Sequence, residues 1–102
     1  FNLVLEALLS IVRRVMKSAR DVGVSGRLAE VKIRYTGFET HTHGRSIPVS
    51  MDDDEVFTSL AERLFANNVQ SGKKIRLIGF RLGHLDTPTT KQTRLMSLFE
   101  EE

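Results

Sequence analysis

A stretch with a strict two-residue repeat, residues 28–36, constrains the fold of this chain more than any other feature. Its apolar and polar members alternate: Ala29, Val31, Ile33 and Tyr35 against Glu30, Lys32, Arg34 and Thr36. Successive side chains of a β-strand point to opposite faces, so the stretch predicts a strand with one buried and one wet face. Other elements need to cover only the apolar side of such a strand.

The rest of the chain alternates between helical and extended patterns. Apolar residues at three- and four-residue spacing predict two amphipathic helices, the second beginning near Asp52 as its cap. A run rich in Thr and Ile predicts a second, antiparallel strand that ends at Pro48, because proline cannot donate to a ladder. The predicted elements are helix, strand, strand, helix and strand, over residues 3–21, 28–36, 38–47, 50–68 and 73–85.

This α-β-β-α-β order predicts an α+β fold of the ferredoxin-like βαββαβ type with its first strand missing. We expect an antiparallel-type sheet with two helices on one face and the other face open. The domain proper is expected to span residues 1–85. Residues 86–102 begin with a Thr- and Pro-rich run and are expected to form a flexible tail.

Bulk composition limits the function classes. The 102 residues suffice for one domain, and the absence of cysteine excludes disulfides and thiolate metal sites. No apolar run approaches the roughly 18 residues of a membrane span, so we expect no membrane partner. Because the lack of cysteine gives no indication of an oxidising compartment, we expect a cytoplasmic location. The start has neither Met nor a basic leader, and we expect a segment of a longer protein.

The net charge of +2 conceals a segregated distribution of charge. Basic residues predominate in residues 27–49 and 73–85, whereas residues 52–70 and the tail are acidic. Concentrated basic charge is typical of a surface that binds a polyanion. A solvated face without a ligand is the alternative, and charge alone does not decide between them.

Strand polarity indicates which face would bind. Because the apolar side of residues 28–36 faces the helices, Lys32 and Arg34 are expected on the open face. On the last strand Arg76 and Arg81 have opposite parity, and we expect a β-bulge at Gly79 to bring them to one face. A face with cations, hydroxyls and few aromatic residues suits the phosphates of duplex DNA better than unstacked bases.

Two runs carry a resemblance to a known family. The run from Val31 to Pro48, VKIRYTGFETHTHGRSIP, resembles the central signature of the little finger of Y-family polymerases. The run from Lys74 to Leu82, KIRLIGFRL, resembles the closing strand of the same domain, and Gly26-Arg27 fits the start of the first strand. The chain is thereby identified as similar to the C-terminal DNA-binding domain of translesion polymerases of the DNA polymerase IV type.

The resemblance implies that the domain grips primer–template duplex DNA through phosphates across the major groove. By position, the contacts would be Lys32, Arg34, Thr40, Thr42, Arg45, Lys74, Arg76 and Arg81. The resemblance implies no catalytic residue, metal or cofactor in this chain, while Mg²⁺ would act in an upstream part of the parent enzyme. The family's first strand is expected inside the sheet, so its absence would leave an unpaired slot.

The tail contains a second resemblance. Gln92, Leu95, Leu98 and Phe99 have the Gln-x-x-apolar-x-x-apolar-aromatic spacing of peptides that dock into sliding clamps. The three apolar residues would fill a pocket and Gln92 would bind beside it. A disordered tail, or a short helix packed on its own domain, is the alternative.

Other chemical signals are interpreted structurally. The acidic run 52–55 could suggest a two-metal centre, but acids at a helix start are better explained by capping and by the helix dipole. His41 and His43 lack a third ligand, and we expect a solvent- or phosphate-facing pair. A stand-alone RNA-binding module and a protein-interaction domain that acts through the tail remain alternative functions.

Overall fold

The structure is a computed structural model that describes residues 2–37, 39–86 and 100–101. In chain order its elements are α1 (Asn2–Asp21), β1 (Gly26–Tyr35), β2 (Thr40–Met51), α2 (Asp54–Asn68), β3 (Ile75–Gly83) and β4 (Glu100–Glu101). The predicted α-β-β-α-β order and α+β class are confirmed for residues 2–83.

The strands form one antiparallel sheet in the order β2-β1-β3-β4. β1 is central, pairing with β2 on one side and with β3 on the other. The prediction of an empty slot inside the sheet is therefore wrong. The sequence shows which segments are extended, but it does not show which of them are neighbours, and here β1 and β3 pair directly.

Both helices pack on one face of the sheet and bury the apolar side chains of β1. Val31, Ile33 and Tyr35 are at most 1% exposed, as the alternation predicts. From the two helices, the buried residues are Leu8, Ile11, Val12, Val15, Met16, Ala19, Phe57, Leu60, Ala61 and Phe65. This continuous core orients β1, so the polar residues between its buried members must point to the opposite face.

Glycine ends α1. Gly23 has a φ of 73°, its N–H donates to Arg20 O, and the N–H of Val24 donates to Ala19 O across 2.8 Å. This arrangement satisfies the last carbonyl groups of a helix with a left-handed residue. Val24 is then buried and leads directly into β1.

The start of α2 and the end of β2 differ in detail from the prediction. The cap of α2 is Asp53, not Asp52, and its Oδ1 accepts hydrogen bonds from the N–H groups of Glu55 and Val56. β2 does not end at Pro48. Pairing between β1 and β2 is interrupted after Ser46, just before the proline, and resumes at Met51. Met51 pairs with Gly26, where the register of β1 shifts.

The end of the domain is also paired. Asp86 forms an isolated bridge with Ser25, beyond the predicted domain end at residue 85. Glu100–Glu101 then pairs antiparallel with Phe80 and Arg81 on the outer edge of β3. Residues 100–101 therefore lie beside β3, at the outer edge of the sheet.

Candidate nucleic-acid interface

The open face of the sheet is built around the polar side of β1. Arg34, Lys32, Glu30 and Leu28 alternate with the buried residues and are all partly exposed. The predicted position of Lys32 and Arg34 on the face away from the helices is confirmed, since the buried residues between them contact the core. These long side chains form a central ridge.

Small residues lie beside this ridge on both neighbouring strands. On β2, Thr40 pairs with Arg34, Thr42 with Lys32, and Gly44 with Glu30. On β3, Gly79 pairs with Lys32, whereas the larger Leu77 and Arg81 pair with Arg34 and Glu30. Directly paired residues share a face of the sheet, so hydroxyls and glycines flank the basic side chains. A phosphodiester backbone can approach such a surface closely.

The predicted bulge exists, but at a different residue. Tyr35 pairs with Ile75 and Arg34 with Leu77, which leaves Arg76 as the extra residue of β3. From Leu77 onward β3 alternates regularly, and this regular part brings Arg81 to the open face. The location at Gly79 was wrong because glycine tolerates a bulge without requiring one, and pairing with β1 decides where the extra residue falls.

Two contacts organise the open face. Arg34 Nε donates to Thr40 Oγ1 across 2.9 Å, and this contact joins β1 to β2. Arg81 Nη1 donates to Glu30 Oε1 across 2.5 Å, and this contact joins β1 to β3. The predicted residues Arg34, Thr40 and Arg81 therefore belong to one connected surface.

A groove of about 770 Å³ continues the open face at the start of β1 and the end of β3. Arg27, Arg81 and His84 supply its basic groups, and Asp86 accepts a hydrogen bond from Ser50 Oγ at 2.9 Å. Arg27 and His84 were not among the predicted contact residues. Arg27 lies where the register of β1 shifts, and His84 follows β3 with a φ of 49°, features that leave no signal in the sequence.

The structure separates Arg45 from the open face. Arg45 pairs with Ala29, whose side chain is buried, and it lines a small cavity with Arg63 and Leu64 of α2. His41 and His43 lie on the same helix side of β2, with ring centroids 6.4 Å apart. Both histidines, expected as a solvent- or phosphate-facing pair, are partly exposed there and lie away from the open face.

Lys74 lies at the opposite end of the sheet from the groove, just before β3. It is exposed, and its carbonyl oxygen accepts a hydrogen bond from the N–H of Thr36 at 2.9 Å. The adjacent Lys73 donates to Glu39 Oε1, which also lies 3.5 Å from His41 Nε2. The hydrogen bond from Lys73 lowers the pKa of the Glu39 carboxyl below its usual value.

The described ranges contain neither a cluster of metal ligands nor a membrane-spanning helix. Across residues 2–37, 39–86 and 100–101, no cluster of three or more His, Cys, Asp or Glu side chains could hold a metal ion. Neither helix in the described part of the chain has both the length and the apolar content needed to cross a bilayer. The predicted clamp-docking residues Gln92, Leu95, Leu98 and Phe99 lie outside the described residues.

Comparison with known families identifies the family of this domain. Residues 1–95 match the model of the impB/mucB/samB family C-terminal domain. The chain belongs to this family. The sequence resemblance to the little finger of DNA polymerase IV-type enzymes is thereby confirmed.

Individual relatives are about one-third identical to the chain over the aligned residues. DNA polymerase IV of Methanoculleus marisnigri is 34% identical over 85 residues, which are 83% of this chain and 23% of the relative. DNA polymerase IV of Streptococcus mutans is 30% identical over 83 residues, which are 81% of this chain and 22% of that protein. The chain thus spans about a quarter or less of the length of these relatives.

Proposed function

We propose that this domain binds primer–template duplex DNA through its phosphates and belongs to a lesion-bypass DNA polymerase. The observation that carries the proposal is the open face, where Lys32 and Arg34 stand beside Thr42 and Thr40 of β2, and Lys32 also pairs with Gly79 of β3. Cationic and hydroxyl groups are the usual partners of phosphate oxygens, and they carry no sequence information. Binding would therefore be independent of sequence and sensitive to salt.

The shape and composition of the open face favour duplex DNA over single strands. Among the paired open-face positions of β1, β2 and β3, no aromatic side chain offers a platform for an unstacked base. Proteins that hold single strands generally rely on such stacking. Binding to single-stranded RNA, the alternative function, lacks this support.

Three other predicted contact residues, Lys74, Arg76 and Arg45, lie away from the central strand. Arg76 at the bulge and Lys74 before β3 are exposed on the end of the sheet that carries Arg34. Arg45 lies on the helix side of the edge strand β2 and would reach only a duplex that extends past that edge. We therefore expect Lys32 and Arg34 to contribute most, with Arg81 adding less because it is paired with Glu30.

The polymerase activity itself is proposed from the relatives. Their name is DNA polymerase IV, and most of their length has no counterpart in this chain. The parent protein would carry its Mg²⁺-dependent nucleotidyl transfer in that remaining part. This domain would hold the duplex while a damaged template is copied, in the cytoplasm, without itself binding a cofactor.

A matched pair of double variants tests DNA binding by the open face. Lys32→Ala with Arg34→Ala removes two cations from the ridge, and Arg13→Ala with Lys17→Ala removes the same charges from the exposed side of α1. A single hydrogen bond to a charged group contributes about 1.5–3 kcal/mol, so the loss of even one phosphate contact should weaken duplex affinity at least about tenfold in the first variant. Fluorescence anisotropy with labelled primer–template would measure both variants. Equal losses would refute the open-face assignment.

We also propose that the tail docks to a sliding clamp through Gln92, Leu95, Leu98 and Phe99. The support is the spacing of these residues and their position at the end of a polymerase-related domain. Replacing Leu98 and Phe99 by alanine should abolish binding to a purified clamp and leave duplex affinity unchanged. Loss of both activities would instead favour a tail that packs on its own domain, and clamp binding by the variant would refute the docking site.

A further inference from the structure

Glu30 is the single acid among the open-face positions paired between β1, β2 and β3, and Arg81 also pairs with Glu100 of β4 on its outer side. It stands in the middle of the central strand, two residues from Lys32, on the face that we propose for phosphates. Its side chain is 26% exposed, and that of Arg81, directly opposite on β3, is 31% exposed. A carboxylate at this position repels a phosphate and therefore weakens the proposed binding.

The ion pair between these residues is enclosed by glycine. Glu30 pairs with Gly44 on β2, where an added Cβ would lie 3.2 Å from Glu30 Cγ. An added Cβ at Gly83 would lie 3.4 Å from Arg81 Nη1. Each side chain therefore lies close to a glycine on the surface of the sheet. Their charged ends, Glu30 Oε1 and Arg81 Nη1, are 2.5 Å apart.

We infer that Glu30 limits the affinity of the open face for duplex DNA by neutralising Arg81. The inference rests on the proposed function and adds a regulator of binding strength to the same surface. A carboxylate in contact with Arg81 offsets part of the attraction between that guanidinium and a phosphate oxygen. A phosphate that engages Arg81 has to compete with Glu30. Sequence-independent binding is thereby held weaker than the number of cations on the face would give.

Glu30→Gln is the variant that isolates charge from geometry. Glutamine keeps a carbonyl oxygen that can accept the hydrogen bond from Arg81 but removes the negative charge. Exposed or half-exposed ion pairs contribute up to about 1 kcal/mol, so we expect a roughly threefold to fivefold tighter duplex affinity. If one more cation then neutralises a phosphate, the slope of log K against log salt should steepen by about 0.9.

Glu62→Gln is the matched control. Glu62 is exposed on α2, on the far side of the molecule, and its replacement changes the net charge by the same amount. We expect a much smaller gain in duplex affinity from this variant. Thermal unfolding of every variant would verify that each is folded under the binding conditions.

A double-mutant cycle then tests whether the effect acts through Arg81. In an Arg81→Ala background, Glu30→Gln should raise duplex affinity no more than Glu62→Gln does. An equal gain with and without Arg81, or no gain in the unmodified chain, would overturn the inference while the proposed function stands. If the unmodified chain shows no salt-sensitive duplex binding, the proposed function fails and the inference fails with it.

Discussion

Arg34 Nε donates a hydrogen bond to Thr40 Oγ1 across 2.9 Å, directly between the paired residues of β1 and β2. The bond holds the guanidinium on the open face through Nε and does not use the N–H donors of the two terminal nitrogens. A long side chain that is already oriented loses less rotational freedom on binding phosphate. Thr40 therefore has two roles in the proposed interface, as a phosphate donor and as the partner that positions Arg34.

Removing the Thr40 hydroxyl should weaken DNA binding. Thr40→Val keeps the shape of the side chain but loses the hydrogen bond, and a bond of this kind contributes about 1 kcal/mol. We expect roughly a fivefold loss of duplex affinity in an anisotropy titration. Thr40→Ser retains the hydroxyl and should bind like the unmodified chain. Unchanged affinity of the valine variant would show that Arg34 does not depend on this contact.

The phenol of Tyr35 should stabilise the turn after α2. Tyr35 is 1% exposed, and its Oη accepts a hydrogen bond from the N–H of Gln70 at 3.0 Å. Tyr35→Phe leaves that partly buried N–H without its acceptor, which should lower the free energy of unfolding by about 1 kcal/mol. Urea denaturation measures this change, and amide hydrogen exchange at Gln70 should accelerate. An unchanged exchange rate would contradict the role of the hydrogen bond.

The alternation in β1 was enough to predict both faces of the sheet. The buried residues Val31, Ile33 and Tyr35 and the polar Lys32 and Arg34 follow directly from a period of two. This local pattern survives because the helix-covered core can form only with the apolar side inward. The open face of the central strand could therefore be predicted from the sequence.

The positions that depend on pairing could not be predicted. The bulge at Arg76 and the pairing of Glu30 with Gly44 result from the register between strands that are distant in sequence. Likewise, the Glu30–Arg81 contact joins residues 51 positions apart. A sequence pattern gives the face of each residue on its own strand, whereas neighbours across strands require the sheet order.

The ion pair between Glu39 and Lys73 should make stability depend on pH. The pKa of Glu39 is lowered chiefly by the hydrogen bond from Lys73, so the folded state favours the ionised carboxylate. Its contribution is present above the unfolded pKa and is lost as pH falls through the lower folded pKa. Glu39→Gln should thus lower the melting temperature at neutral pH, with the difference from the unmodified chain vanishing in acid.

Calorimetry from pH 7 to below pH 4 would follow that difference. Glu62→Gln, on exposed helix surface, is the control for removing a carboxylate. If the melting temperatures of the Glu39 variant and the unmodified chain differ equally at all pH values, the ionised pair does not contribute as described.

The salt dependence of duplex binding tests the central claim most directly. Each phosphate contact contributes about −0.9 to the slope of log K against log salt. The account predicts a steep negative slope for the unmodified chain, shallower by about 1.8 for Lys32→Ala with Arg34→Ala and unchanged for Arg13→Ala with Lys17→Ala. The same slope for all three proteins, or no measurable binding at low salt, would contradict the binding of duplex DNA by the open face.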